Sequence, residues 1–305
     1  MNRRTLLLSA AAALLALAFA AAAQQVADPN FDTKIARPAY TKDGPRVLFD
    51  EAHNNFHTAS GRYKPFADLI TADGYRVTPN TQPFTRDSLK GFDILVTANA
   101  IGAGATALSA PEASQPAFTE AECDAVRDWV RGGGALLLIA DHAPIGAANA
   151  SLGKRFGIEM SNAYTIDPQN TTPEDNNPGF IIYTRERGLG DHAITNGRDA
   201  SERVGRVIAF TGQSLKGPAD AVAFMRLSDT ARDAVPNSEQ STSAAGRAQG
   251  LALRAGKGRV VVMGEAGMLS AQLAGPNKMP FGMNRPGLDN RQLALNIMRW
   301  LTRKI

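Results

Sequence analysis

The feature that most constrains the fold is a repeated alternation between short apolar runs and amphipathic segments. The clearest run is Ala135–Ala140, in which every residue is apolar, and Arg46–Asp50 and Asp93–Thr97 have similar character. Short apolar runs of this kind are typical of strands that are buried on both faces of a parallel sheet. Strands that alternate with helices predict an α/β domain with a doubly wound, mostly parallel sheet and helices on both faces.

The segment after residue 117 carries the strongest helix signals. Phe118 precedes Thr119, and Glu122 follows three residues later, which predicts a capping box at the start of a helix. Gly132–Gly134 is expected to end this helix. Glycines also support a hairpin in which Gly250–Arg254 and Arg259–Met263 pair across residues 255–258. Further helices are predicted for residues 63–70, 147–156 and 289–301.

Four parts of the chain differ in composition. Residues 1–23 combine Arg3 and Arg4 with an alanine- and leucine-rich stretch and small residues at its end, which predicts a secretory signal peptide. An uncleaved membrane anchor is the alternative. Residues 24–44 are expected to form an extended linker, and residues 45–305 a single α/β domain. Within it, the polar residues 161–200 are expected to form a lid-like insertion or binding loop.

Charge and cysteine content exclude several classes of protein. The formal net charge is +4, and it falls to +2 once Arg3 and Arg4 are removed with residues 1–23. Basic residues are scattered, so we expect no nucleic-acid partner. No later apolar run is long enough to span a membrane, so no stable membrane insertion is expected after cleavage. The single cysteine, Cys123, lies on an apolar helix face and is expected to be part of the core.

Histidines and acids cluster where predicted strands end. His53 and His57 follow the first long strand, and His142 follows the central one beside Asp141. Ligands of doubly wound sheets bind at the carboxyl ends of the strands, so these side chains are expected to converge. His192, in the insertion, and Glu265, after the last long strand, are expected to reach the same edge.

Imidazole and carboxylate groups are the usual ligands of zinc and similar divalent metals. We therefore predict a metal site, whose ligands would be His53, His57, His142, His192 and Glu265. Glu51 or Asp141 would act as the catalytic base. Two other interpretations stay open: a polar site without metal, or side chains that only cap strand ends.

Four segments resemble the class I glutamine amidotransferase-like superfamily. They are Val47–His53, Gly134–His142, His192–Gly197 and Asn290–Leu301. More narrowly, the chain is similar to an uncharacterised branch of exported bacterial proteins, akin to trehalose-utilisation-type and intraflagellar-transport-type domains. The resemblance covers about residues 45–303. It implies a flavodoxin-like or amidotransferase-like three-layer sandwich.

The departures from this superfamily limit the function that can be inferred. Its glutaminases carry a nucleophilic cysteine after the central strand, where this chain has Asp141 and His142. They also carry a catalytic His-x-Glu pair late in the chain, whereas here no histidine follows His192. Glutamine hydrolysis through a thioester is therefore excluded. We expect an exported, periplasmic or extracellular, metal-dependent hydrolase of unknown substrate. The alternative is a non-catalytic domain that binds a glycan, another small molecule or a protein partner.

Overall fold

The computed structural model describes residues 25–171 and 177–305. The predicted signal peptide, residues 1–23, lies outside this part. In the described residues, no helix combines the length and the apolar character that crossing a membrane requires.

Seventeen strands and five α-helices make up the described chain. The strands are β1 (Val26–Ala27), β2 (Arg46–Asp50), β3 (Arg76–Asn80), β4 (Ile94–Ala98), β5 (Ala135–Ile139), β6 (Glu159–Met160), β7 (Tyr164–Ile166), β8 (Phe180–Thr184), β9 (Arg206–Phe210), β10 (Leu215–Lys216), β11 (Val222–Arg226), β12 (Arg232–Ala234), β13 (Ser241–Ser243), β14 (Ala248–Ala255), β15 (Gly258–Met263), β16 (Ala271–Ala274) and β17 (Met279–Gly282). The helices are α1 (Lys64–Ala72), α2 (Glu120–Gly132), α3 (Ile145–Lys154), α4 (Ala193–Asn196) and α5 (Asn290–Leu301), and short 3₁₀ turns occupy Pro111–Ser114, Ala200–Glu202 and Gly267–Leu269.

The central sheet is mixed and contains nine of these strands. Its order is β3-β2-β4-β5-β15-β14-β10-β6, and β11 also pairs with β14. Strands β3, β2, β4, β5 and β15 are parallel, whereas β14, β10, β6 and β11 pair antiparallel. The chain is therefore an α/β protein with a largely parallel sheet, as predicted. The predicted hairpin between β14 and β15 is confirmed. Three smaller antiparallel sheets are β1-β16-β17, β13-β12-β7 and β8-β9.

Apolar side chains alternate between the two faces of the central sheet. Val47 and Phe49 belong to a core that also contains side chains of α1 and α5. Leu48, between them, belongs to a second core that includes Cys123 and Val126 of α2. Successive residues of a strand point to opposite faces, so helices cover both faces of the sheet. The prediction that Cys123 is part of the core is confirmed, because its side chain is buried.

Helix α2 begins as the sequence predicts. Thr119 accepts a hydrogen bond from the backbone N–H of Glu122, and the Glu122 carboxylate accepts one from the backbone N–H of Thr119. This reciprocal arrangement is a capping box, and it fixes the Glu122 side chain at the helix start. Helix α3 ends at Lys154, close to the predicted end at residue 156. Gly157, the next residue after that predicted end, has a positive φ of 72°.

Within residues 161–200, the predicted lid-like insertion, two of the described segments are strands that pair with strands elsewhere in the domain. Strand β7 pairs with β12 and strand β8 pairs with β9, which both lie beyond the insertion in sequence. Ile181, Tyr183 and Ile194 are buried in the main core. These strands and residues are packed structure, because their partners belong to the rest of the domain.

Residues 25–45 are largely irregular but lie against the domain. Strand β1 pairs with β16, and Arg37 forms an ion pair with Asp199. The ring of Tyr40 packs edge-on against Tyr75, with 5.3 Å between ring centroids. The segment that the sequence predicts as an extended linker is therefore held by specific contacts.

Candidate functional site

Three neighbouring parallel strands end at the same level and present polar side chains there. Ile139 of β5 pairs with Ala98 of β4 on one side and with Met263 of β15 on the other. Asp141 and Glu265 each lie two residues beyond this register line. Adjacent strands are about 4.8 Å apart, so the two carboxyl groups are neighbours at the carboxyl edge of the sheet. We call Asp141 and Glu265 the carboxyl pair.

Backbone and side-chain groups hold both members of the carboxyl pair. Glu265 is fully buried and accepts hydrogen bonds from the N–H groups of Gly267 and Met268, at 2.5 and 2.7 Å. Asp141 is half-buried and accepts one from the N–H of His142 at 2.8 Å. The side chain of Asn99 accepts from the N–H of Asp141 at 3.0 Å. These bonds fix where both carboxyl groups lie.

Among the described residues, no Lys or Arg forms an ion pair with Asp141 or Glu265. Burial raises the pKa of Asp141, although its N–H donors oppose this rise. Burial also raises the pKa of Glu265, and the neighbouring Asp141 raises it further. Burial and mutual proximity therefore disfavour ionisation of both carboxyl groups at once.

His142 follows Asp141 directly and so lies next to this pair. Its Nδ1 lies 2.7 Å from the carbonyl oxygen of Ala143, which can only accept a hydrogen bond. Nδ1 therefore carries a proton, and in the neutral imidazole Nε2 has the free electron pair. Burial lowers the pKa of His142, which favours this neutral form. The imidazole stacks on the ring of Tyr164, with 4.3 Å between centroids and 22° between planes.

The backbone around the carboxyl pair is strained at one position. Thr211 has φ of 69°, although it is β-branched, and it follows β9 directly. Left-handed conformations at such residues cost about 1–3 kcal/mol and concentrate at functional sites. Gly212, the next residue, lies so close to Glu265 that a Cβ there would come within 2.7 Å of the Glu265 Cβ.

Tyr63 supports the same edge from helix α1. It lies directly before α1 and is completely buried, and its hydroxyl donates to the carbonyl oxygen of Ala266 at 2.6 Å. Burial and the neighbouring carboxyl groups raise the pKa of Tyr63 well above its ordinary value. Tyr63 therefore acts as a neutral hydrogen-bond donor that fixes the turn beside Glu265.

His53 is not at this site. Its Nδ1 lies 2.7 Å from Asp50 and its Nε2 2.8 Å from Glu122, and its ring packs between Phe84 and Phe118. Burial alone would lower the pKa of His53, but the two carboxylates outweigh this effect and raise it. His53 is thus a charged link between strand β2 and helix α2, and neither ring nitrogen has a free electron pair.

The other predicted site residues contact different parts of the fold. His57 is buried against Tyr63, and burial lowers its pKa to about 3. His192 caps helix α4 and packs near Trp300 at the C-terminal end of α5. This end of α5 lies toward the amino edge of the sheet, because Arg259 of β15 donates to the carbonyl oxygen of Trp300. The Glu51 carboxylate accepts the N–H of Ala59 at 2.8 Å and so caps a loop.

His53, His57 and His142 have different partners, and their predicted convergence on one metal site stays a prediction. His53 packs against Phe84 and Phe118 of the core on the α2 face, whereas His57 packs against Tyr63 on the α1 face, and His142 against Tyr164. Within residues 25–171 and 177–305, no three His, Cys, Asp or Glu side chains are grouped so that they could hold one metal ion. Of the predicted residues, the structure brings together Asp141, His142 and Glu265.

A cavity of about 320 Å³ is lined by residues of β6, β12 and β13 and of the segment between β6 and β7. The lining includes Ser161, Asn162, Asp233 and Arg247. We identify the candidate site by its chemistry, because this cavity contains neither member of the carboxyl pair.

Sequence reasoning missed Tyr63, Asn99 and Tyr164. Asn99 follows strand β4 directly, much as Asp141 follows β5, and that position was a usable signal for it. Tyr164 and Tyr63 had no such signal, because they come from segments whose position relative to the edge depends on long-range pairing.

Comparisons with known proteins show the fold alone. The sequence matches no protein-family model. No curated protein matches it significantly. The N-terminal domain of mmIFT52 has a similar structure, with a TM-score of 0.61 and 17% identity, over 84% of this chain and 97% of that one.

Two further solved structures have lower scores. A ThuA-like protein from Bacteroides uniformis has a TM-score of 0.45 and 13% identity, over 90% of this chain and 95% of that one. A GMP synthase protein from Thermoplasma acidophilum has a TM-score of 0.40 and 11% identity, over 86% of this chain and 99% of that one.

Proposed function

We propose that this chain is a hydrolase that works by proton transfer at the carboxyl edge of its sheet. The observation that carries this proposal is the carboxyl pair, a half-buried and a fully buried acid with no counter-ion among the described residues, beside the imidazole of His142. Environments that leave an acid protonated and a nearby base unprotonated at the same pH are typical of general acid–base catalysis.

His142 and the carboxyl pair would each transfer one proton in the reaction. Nε2 of His142 takes a proton from water as the water oxygen attacks the substrate. The bond to the leaving group breaks, and the proton of the carboxyl pair passes to that group. The proton on His142 then leaves to solvent, and the pair takes up another. General acid and base catalysis of this kind contributes about 10²–10⁴-fold to a rate.

Exposure assigns roles within the carboxyl pair. Asp141 is half-buried, so we assign it the contact with the leaving group, whereas Glu265 is fully buried behind it. Glu265 is a positioning residue, since its proximity makes ionisation of Asp141 unfavourable. The partly exposed stack of His142 and Tyr164 offers a flat ring surface with polar groups at its edge. A small polar molecule or glycan fits this chemistry best.

The donor set favours proton transfer over a bound metal. N–H groups occupy acceptor positions of both Asp141 and Glu265, and both nitrogens of His53 contact carboxylates. A zinc ion would have to displace these donors. Metal binding at His142 is a separate prediction, and elemental analysis of protein purified without chelator tests it.

We also propose that the fold is the doubly wound, three-layer sandwich of the glutamine amidotransferase-like superfamily. Helices on both faces of the sheet and the likeness to the mmIFT52 domain support this. Cys123 lies within the core of α2 and so supports the expectation that glutaminase activity is absent. Export and cleavage after Ala23 is likewise a proposal, and N-terminal sequencing of the exported protein tests it.

The experiment is a hydrolysis assay on alkyl glycosides, alkyl esters and alkyl phosphates, whose leaving groups need a proton, with chelator present. We expect one class to be hydrolysed, and His142→Gln and Asp141→Asn to lose about 10²-fold or more in rate. His192→Gln is the matched control and should keep the wild-type rate. If no class is hydrolysed, or if Asp141→Asn is as active as the wild type, the proposal fails and a binding domain becomes the better account.

A further inference from the structure

The cavity of about 320 Å³ beside β6, β12 and β13 is lined by side chains of both charges. Asp233, Arg247 and Glu159 supply the charges, and serine, threonine and asparagine side chains supply further polar groups. The volume is at the lower end of the range for ligand pockets, so the cavity has room for one small molecule. Neither member of the carboxyl pair lines it. The cavity is therefore separate from the proposed hydrolytic site.

Asp233 is a buried carboxylate with no cationic partner in the described chain. Its residue is 5% exposed. Its two oxygens accept hydrogen bonds from the hydroxyl groups of Thr165 and Ser214, at 2.7 and 2.6 Å. Among the described residues, no Lys, Arg or His side chain forms an ion pair with it. Hydroxyl groups satisfy its acceptors but supply no net positive charge, so a cationic group in the cavity would gain from contact with Asp233.

Arg247 is anchored at the same cavity. Its Nε donates to the hydroxyl of Ser214 at 2.6 Å, and its Nη2 donates to the carbonyl oxygens of Glu159 and Ser214 at 3.3 and 3.4 Å. Nη1 lies 4.0 Å from the Glu159 carboxylate, which is beyond hydrogen-bond distance, and it makes no hydrogen bond to another described residue. The guanidinium group therefore has a fixed orientation, and its Nη1 keeps donors for a ligand.

One hydroxyl group separates these two charges. Ser214 donates to Asp233 and accepts from Arg247, both at 2.6 Å. The two charged side chains are thereby neighbours that do not neutralise each other by direct contact. The third charged side chain of the lining, Glu159, is 66% exposed and also forms an ion pair with Lys216 at 3.8 Å. Asp233 and Arg247 therefore present one negative and one positive charge side by side.

We propose that this cavity binds a zwitterion, namely an α-amino acid with free ammonium and carboxylate groups. The carboxylate of the ligand accepts hydrogen bonds from Arg247, and its ammonium donates to Asp233. Only one carbon atom separates these two groups of an amino acid, which suits two charged side chains bridged by a single hydroxyl. An anion alone is repelled by Asp233, and a cation alone by Arg247. Met160 and Val235 add apolar surface, which suits a neutral side chain on the ligand.

The test is calorimetric titration of the full chain with glycine and with the L-amino acids that have uncharged side chains. We expect saturable binding of at least one of them. The amide of that amino acid lacks the carboxylate, and its deaminated acid lacks the ammonium. Each analogue should bind about tenfold more weakly or worse, because it leaves one charged side chain of the cavity without its partner. Equal binding of either analogue would overturn the proposal.

Substitutions assign the binding to this cavity. Arg247→Gln should weaken binding about tenfold or more, because it removes the guanidinium donors. Arg232→Gln is the matched control, since Arg232 is an exposed arginine that precedes Asp233 in β12 and does not line the cavity. It should bind like the wild type. The selectivity of the wild type needs no variant, so the proposal is tested even if Arg247→Gln does not fold. Absence of saturable binding of every amino acid by the wild type, or unchanged binding by folded Arg247→Gln, would overturn the proposal.

Discussion

Replacement of His53 by glutamine should destabilise the protein in a way that depends on pH. In the structure His53 bridges Asp50 and Glu122 at 2.7 and 2.8 Å, and the Asp50 and Glu122 side chains are 0% and 10% exposed. Loss of one partner from a buried charge pair costs about 3–5 kcal/mol. We expect about 3 kcal/mol, the lower end of this range, because Asn55 and Thr97 still donate to Asp50.

The pH dependence follows from the direction of each pKa shift. The pKa of His53 is raised on folding, so its stabilisation is complete below the unfolded value of about 6.5. This stabilisation is lost as the pH rises through the raised pKa that His53 has in the folded protein. Burial alone would raise the pKa of Glu122, but hydrogen bonds from His53 and Thr119 outweigh it and lower this pKa to about 2. The contribution of Glu122 is therefore lost only as the pH falls toward that value.

Urea unfolding of wild type and His53→Gln, followed by circular dichroism, measures this effect. The difference between their unfolding free energies should be largest near pH 6 and should shrink in alkaline solution. His192→Gln is the control, because His192 bridges no carboxylates and should show no such alkaline dependence. A difference that is the same at every pH, or one below about 1 kcal/mol, would refute the inference that His53 is charged.

Three further substitutions test other features of the fold. Arg299→Met should lower the unfolding free energy by about 3–5 kcal/mol, since it leaves the buried Asp73 without its partner, and a small effect in urea unfolding would contradict this. Cys123→Ala should cost about 1 kcal/mol and leave any hydrolytic activity unchanged, whereas loss of activity in the folded variant would argue against a purely structural cysteine. Thr211→Gly should raise the thermal midpoint, because glycine adopts a φ of 69° without strain. A clear fall in that midpoint would show that Thr211 is not strained.

The sequence predicts the parallel part of the fold well, because the signals for its strands and helices are local. The residues of β5 are all apolar, and Thr119 with Glu122 marks the start of α2. The packing of residues 161–200 was not predictable in this way. Strand β8 was recognisable from its own residues, but its partner β9 begins at Arg206, beyond the insertion. A polar segment therefore resembles a loop until its remote partners are known.

The candidate site was predicted in part. Topology correctly indicates that Asp141 and Glu265 share an edge, because both follow long parallel strands. It does not show where a side chain turns once the strand has ended. His53 and His57 lie four residues apart, yet one packs toward α2 and the other toward α1. The carboxylate of Glu122, which holds His53, gave no sign of that role beyond its place in the capping box.

The central claim is that Asp141 and Glu265 share a proton at neutral pH, and infrared spectroscopy tests it most directly. The wild-type protein at pH 7 should show the C=O stretch of one buried, protonated carboxylic acid. Glu265→Gln should remove this band, since Asp141 then ionises without a neighbouring negative charge. His142→Gln, which leaves both acids in place, should retain it. A wild-type spectrum with only ionised carboxylates at pH 7 would contradict the proposed acid and, with it, the hydrolytic mechanism.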